Sequence, residues 1–150
     1  MLTAPACPAP PTLCDNQLAL PERIEMSKEV FDRGLEIRKS VLGAEFVEAS
    51  FRGADAFSKP MQELVTEYCW GAVWGRDELP RKTRSMLNLA MIAALNRPHE
   101  LKMHVRGALR NGVSKDEIRE IFMQVAIYAG VPAGVDAFRV AREAFDAEEK

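Results

Sequence analysis

Residues 61–73 read MQELVTEYCWGAV, and their spacing decides the fold class. Met61, Leu64, Val65, Tyr68, Cys69, Ala72 and Val73 fall at i, i+3, i+4, i+7, i+8, i+11 and i+12. That is a single apolar stripe on a helix of 3.6 residues per turn. Toward the N-terminus, Ser27 can cap a helix running to about Leu42, with Gly43 beyond its end. A less regular stretch through Phe51 and Phe57 follows. Toward the C-terminus, Gly75 to Leu79 reads as a loop and Pro80 suits the first turn of the next helix. Met86 to Leu95 is interrupted only by Asn88, which predicts a helix buried on most of its circumference. Pro98 opens another helix, with buried stripe Leu101, Val105, Ala108 and Leu109, that stops at Asn111–Gly112. Ser114 and Glu117 form a capping box for a helix with stripe Ile118, Ile121, Phe122 and Val125. Pro132 starts a last one carrying Val135, Phe138, Ala141 and Phe145. No segment alternates as a strand does. The reading is an all-α domain of about six to seven helices.

Composition narrows the function classes. The 150 residues are 47% hydrophobic and 28% charged, the balance of one globular domain. Twenty Lys and Arg against 22 Asp and Glu give a formal charge of −2, so no basic excess points to nucleic acid or a membrane surface. The apolar run from Met86 to Leu95 is half of the ~20 residues that a membrane span needs. Cys7, Cys14 and Cys69 show neither a CxxC pair nor zinc-like spacing, so a disulfide framework and a metal site are not expected. Reduced thiols suggest the cytoplasm. Residues 1–25 hold five of the nine prolines and no periodicity, and read as a mobile tail preceding a domain over 26–150. They are either a natural tail or lie upstream of a start at Met26.

Several polar residues stand beside the stripes. Arg97, Glu100 and His104 lie along one edge of the Pro98 helix, at spacings of three and four. Folding about the Leu95–Arg97 turn is expected to bring Ser85 and Asn88 roughly opposite His104, with Arg81 and Arg84 a turn earlier. Glu120, Gln124 and Tyr128 make a polar line on the following helix. Each has a plainer reading. His104 can be a hydrogen-bonded packing residue, Glu100 and His104 a surface pair, and Arg81 and Arg84 solvated charges. Glu117 is a cap, and Tyr68, Trp70 and Trp74 suit a core or a subunit contact. Spacing alone leaves function open.

The residues also carry a resemblance. Arg33-Gly34-Leu35-Glu36-Ile37-Arg38, Trp70-Gly71 with Trp74, and Leu79-Pro80-Arg81 with Thr83-Arg84-Ser85 come first. Asn96-Arg97, Glu100-Leu101-Lys102, His104, Asn111-Gly112-Val113, Met123-Gln124, Ala126-Ile127-Tyr128 and Gly130-Val131-Pro132 follow in order. From about Phe31 to Phe145 the chain resembles the 4-carboxymuconolactone decarboxylases of the β-ketoadipate route of protocatechuate catabolism. These belong to the carboxymuconolactone decarboxylase and alkylhydroperoxidase-like superfamily, which implies the alkylhydroperoxidase-like helical fold. The peroxidases of that superfamily carry C-x-x-C-x-x-x-H with a relay Glu nineteen residues before the His. Here Arg97 and Glu100 stand at the cysteine positions and Ser85 at the relay position, so thiol peroxide chemistry lacks its nucleophile.

The resemblance implies cofactor-free loss of carbon dioxide from a lactone dianion, giving the β-ketoadipate enol-lactone. The ring is its own electron sink, so no cofactor is expected. It implies His104, Glu100 and Glu120 as proton-handling residues, and Arg81, Arg84, Ser85, Arg97, Gln124, Tyr128 and Trp74 around the substrate. Other readings are a paralogue with a different substrate and a non-catalytic oligomeric binding protein. Trp70, Trp74, Met86, Met91, Phe122 and Phe138 need cover in addition to the stripes, more than one chain of this size readily supplies. With the family habit of self-association, this leads to an expected homohexamer, or else a homotrimer. Trp70 and Trp74 are then expected to wall the pocket or the contact beside it.

Overall fold

The structure is a computed structural model that describes residues 28–148. The Ser27 cap, the 1–25 tail, Cys7, Cys14 and Met26 lie outside the described residues. Among those described there are seven α-helices and no strand. They are α1 (Lys28–Leu42), α2 (Ala44–Arg52), α3 (Lys59–Leu64), α4 (Arg81–Ala94), α5 (Pro98–Arg110), α6 (Lys115–Tyr128) and α7 (Val131–Glu148). The all-α reading holds. The expected capping box is present: the Ser114 amide donates to Glu117 Oε2 at 2.8 Å, and the Glu117 amide donates to Ser114 Oγ at 3.1 Å.

The helices enclose two neighbouring cores. Helices α4–α7 bury Leu89, Leu101, Val105, Ile118, Phe122 and Val140. Helices α1 and α2 bury Ile37, Val41 and Val47 with Trp70 and Trp74. Helix α5 joins the two, since Met103 packs on the tryptophan core while Leu101 and Val105 face the other.

The stretch that decides the fold class departs from its expected register. Helix α3 runs directly into a π-helical segment, Val65–Val73, whose bonds span five residues. The Trp74 amide donates to the Cys69 carbonyl at 3.0 Å. The wider turn breaks the stripe. Met61, Leu64, Tyr68 and Val73 are exposed, while Thr66, Glu67, Trp70, Gly71 and Trp74 turn inward. The inward face is fixed by close backbone packing on α1. A Cβ on Gly34 would sit 2.7 Å from the Gly71 nitrogen and collide with the Thr66 carbonyl oxygen. A Cβ on Gly71 would collide with the Val30 carbonyl oxygen.

Four further expectations are corrected. The stretch before Phe57 is partly helical as α2, whose nine residues span only about two and a half turns, too short for a stripe to stand out. Helix α4 buries Ser85, Leu89 and Ala93, but Leu87, Met91 and Leu95, spaced four apart, form an open row. On α7, Val135 and Phe138 are exposed and the core-facing residues are Ala137, Val140, Ala141 and Ala144. Trp70, Trp74 and Phe122 find full cover within one chain, because both tryptophans pack between α1 and α5.

Overpacking a well-filled contact costs about 1–3 kcal/mol. Gly34→Ala should therefore lower stability to urea by at least about 1 kcal/mol. An unchanged unfolding midpoint would contradict the close α1–π packing.

Candidate active site

The end of the π segment, the following loop and the start of α4 enclose a cleft of about 630 Å³ against α1. Its cationic lining is Arg33 from α1, Arg76 from the loop and Arg81 from the first position of α4. Ile37, Trp74 and Leu79 supply apolar wall. Arg76 is committed to Glu78, with contacts of 3.0 and 3.2 Å. Arg33 and Arg81 are not committed in that way. Arg33 Nη2 donates to the Gly71 carbonyl at 3.0 Å, and Arg81 Nη1 to Ser40 Oγ at 3.3 Å. Glu36 and Asp77 also line the cleft. Neither is ion-paired with Arg33 or Arg81.

Arg81 and Trp74 are thus brought together as the sequence suggested, and Arg33 joins them. The sequence reading passed over Arg33. Its available signal was Gly34 beside it, a glycine inside a helix that marks where another backbone approaches. Arg84 does not line the cleft. Its Nη2 donates to the Arg76 carbonyl at 3.1 Å, and so braces the loop from behind. Ser85 is a correction. It is buried and accepts from Asn111 Nδ2 at 2.9 Å, which sets it opposite the C-terminal end of α5. Seven residues separate Asn111 from His104, about 10 Å along a helix, so Ser85 does not face His104.

His104 is half-buried, and its ring stacks on Trp70 with centroids 6.4 Å apart and planes 8° from parallel. Trp70 in turn contacts Trp74 at 4.7 Å. A row of three rings therefore runs from His104 to the cleft wall. Burial pushes the His104 imidazole below the usual histidine range, and the charge of Glu100 partly opposes this. Glu100 and Arg97 are exposed near the start of α5. Glu120 and Gln124 are in another place, a groove of about 560 Å³ between α4 and α6 walled by Met86, Leu87, Ala90 and Ile121. Glu120 meets Arg119 at 3.1 Å, and Tyr128 is 81% exposed. One chain does not bring these three residues to His104.

Two buried ionisable side chains complete the surroundings. Arg38 spans α1 and α3, donating to Thr66 Oγ1 at 2.9 Å and Gln62 Oε1 at 2.8 Å, over the face of Phe51. Desolvation lowers its guanidinium below its ordinary value, with proximity to Cys69 opposing. Glu67 is buried with Oε1 lacking a hydrogen-bond partner. Cys69 is free, and burial pushes its thiol up despite Arg38. A thiol whose pKa is raised, with no other cysteine among the described residues, is unsuited to peroxide chemistry. No group of three or more His, Cys, Asp or Glu able to hold a metal occurs among the described residues. None of their helices is long and apolar enough to cross a membrane.

An all-helical chain with an arginine-lined cleft and a partly desolvated histidine has the outline of a small-anion enzyme. The chain belongs to the carboxymuconolactone decarboxylase family, which matches residues 59–143. It is 44% identical over 119 residues to nitrosuccinic acid decarboxylase npaB of Metarhizium robertsii, covering 79% of this chain and 83% of that protein. It is 41% identical over 115 residues to 4-carboxymuconolactone decarboxylase of Acinetobacter baylyi, covering 77% and 86%. An uncharacterised 15.0 kDa protein of Paracoccus denitrificans is 34% identical over 89 residues, 57% of this chain and 66% of that one.

The depressed His104 has a consequence for stability. Below its ordinary value of 6.5 the unfolded chain takes up a proton that the folded chain resists. Stability should therefore fall as pH drops through and below 6.5, and His104→Gln should flatten that part of the curve. Urea unfolding at pH 7.5 and 5.5 checks this, and equal pH slopes for the two proteins would contradict it.

Proposed function

We propose that this chain decarboxylates 4-carboxymuconolactone to the β-ketoadipate enol-lactone in aromatic catabolism. The observation that carries the reading is the cleft in which Arg33 and Arg81, neither ion-paired to an acid among the described residues, face the same space as the Trp74 indole. A dianionic lactone needs such an anchor, and guanidinium holds carboxylate by parallel charge-assisted hydrogen bonds. The two decarboxylase relatives agree with it.

The substrate carries one carboxylate on a ring carbon and one on an acetate arm attached to that carbon. The bond from ring carbon to leaving carboxylate breaks, and carbon dioxide departs. The electron pair spreads through the ring double bond onto the lactone oxygen. A proton then adds at the carbon next to the lactone carbonyl. Arg33 and Arg81 hold the retained carboxylate. The leaving carboxylate lies against Trp74, Ile37 and Leu79, where an apolar wall favours dispersal of its charge. His104 does not line the cleft, since the Trp70 and Trp74 rings lie between, so its proton-handling role rests on the resemblance and not on contact with the substrate. Glu100 biases its protonation.

Self-association follows from the open apolar surface. Leu87, Met91 and Leu95 on α4, with Met123 and Ile127 on α6, are exposed together with Val131 and Val135 on α7. Unpartnered surface of this kind marks a contact. We read it as the interface of a homohexamer, or else a homotrimer, and as the means by which Glu120, Gln124 and Tyr128 of one copy approach the site of another.

With purified protein and enzymatically generated 4-carboxymuconolactone, ultraviolet absorbance should show loss of the lactone. His104→Gln should lower kcat about 10²–10⁴-fold and abolish the acidic limb of its pH profile. Retention of both would remove His104 from proton handling. Leu87→Asp should yield smaller particles by light scattering with helical content intact. An unchanged particle mass would move the interface off α4.

A further inference from the structure

Arg33 occupies a seat the fold is shaped to provide. Its Nη2 is bonded to the carbonyl of Gly71, the residue whose lack of a side chain lets α1 approach. Its Nε lies where a Cβ on Gly75 would come within 2.8 Å, so Gly75 leaves the room that the guanidinium fills. The bond to Gly71 uses one N–H of five, and the remaining donors stay with the cleft. Arg81 enters the same cleft from the α4 side. Two guanidinium groups beside an apolar wall suit a small dianion with one carboxylate held and one against the wall.

The substrates named for the two relatives share a skeleton that fits. In nitrosuccinic acid and in 4-carboxymuconolactone, one carbon bears a carboxylate, an electron-accepting group and a CH₂–carboxylate arm. Both are succinates substituted at carbon two. The acceptor is a nitro group in one and an unsaturated lactone in the other, so the constant element is the four-carbon diacid.

We propose that Arg33 selects for the retained carboxylate of a 2-substituted succinate, and that this site recognises the succinate unit rather than the lactone ring. The idea rests on the decarboxylase reading for its chemistry. In each substrate the carbon–carboxylate bond breaks, carbon dioxide leaves, and the electron pair passes to the adjacent acceptor before a proton returns. Its binding half is independent of turnover, because succinate lacks an acceptor and serves as an inert probe.

The experiment titrates the full chain with succinate and with butyrate, following indole fluorescence, since Trp74 lines the cleft. The wild type should bind succinate about 10–100-fold more tightly than butyrate, the range expected of one charge-assisted contact. Arg33→Gln should erase the difference, and Arg33→Lys, which keeps the charge but loses the planar fork, should keep part of it. Circular dichroism confirms that each variant is folded. In parallel, wild type and Arg33→Gln are assayed on 4-carboxymuconolactone, on nitrosuccinate and on each with the arm carboxylate converted to an amide. Arg33→Gln should lose about 10–100-fold in kcat/KM on both diacids and little on the amides. A succinate preference that survives in folded Arg33→Gln, or an equal loss on diacids and amides, overturns the proposal. Succinate preference lost in Arg33→Gln while wild type turns over neither diacid sustains the selectivity and sinks the decarboxylase reading instead.

Discussion

The backbone contact between α1 and the π segment is the constraint on which the rest depends. With glycine at 34 and 71, two helical backbones meet with no side chain between them. That closeness fixes which face of the π segment is inward, and so buries Trp70 and Trp74 together. It also brings Arg33 within bonding distance of the Gly71 carbonyl and leaves Trp74 as wall of the cleft. A larger residue at either glycine would separate the helices and open the tryptophan core. The cleft is a by-product of that packing.

The electrostatics follow from the same geometry. Arg38 is held between α1 and α3 by neutral acceptors, whereas Arg33, one and a half turns earlier, reaches the cleft. One guanidinium ties helices together and the other remains available to an anion. Partial burial beside Trp70 disfavours the charged form of His104, and the charge of Glu100 opposes this.

Much of the fold was legible. The Ser114–Glu117 box, the Asn111–Gly112 stop and the stripes of α5 and α6 are set by local chemistry, and local chemistry is what a sequence displays. The stripe from Met61 to Val73 misled because 3.6-residue periodicity is blind to a π turn. That turn packs backbone to backbone on α1, thirty or more residues away in sequence, where local spacing cannot report it. Of the site, Arg81 and Trp74 meet as the motifs implied. Ser85 does not, because the α4–α5 register is set by its bond to Asn111 rather than by the turn that joins the helices. Arg33 was invisible to spacing, since its partner residues come from the far side of the π segment. Glu120, Gln124 and Tyr128 stand on surface away from the cleft, where no packing contact marks them in the sequence.

The inward face that meets α1 depends on the five-residue hydrogen bonding of Val65–Val73. Scalar coupling across hydrogen bonds, measured by nuclear magnetic resonance on perdeuterated protein, reads it directly. The Trp74 amide nitrogen should couple to the carbonyl carbon of Cys69, its bonding partner at 3.0 Å. Coupling to the carbonyl of Trp70 instead would mean an ordinary α-helical register. The tryptophans, the glycine contact and the Arg33 seat could not then be arranged as described.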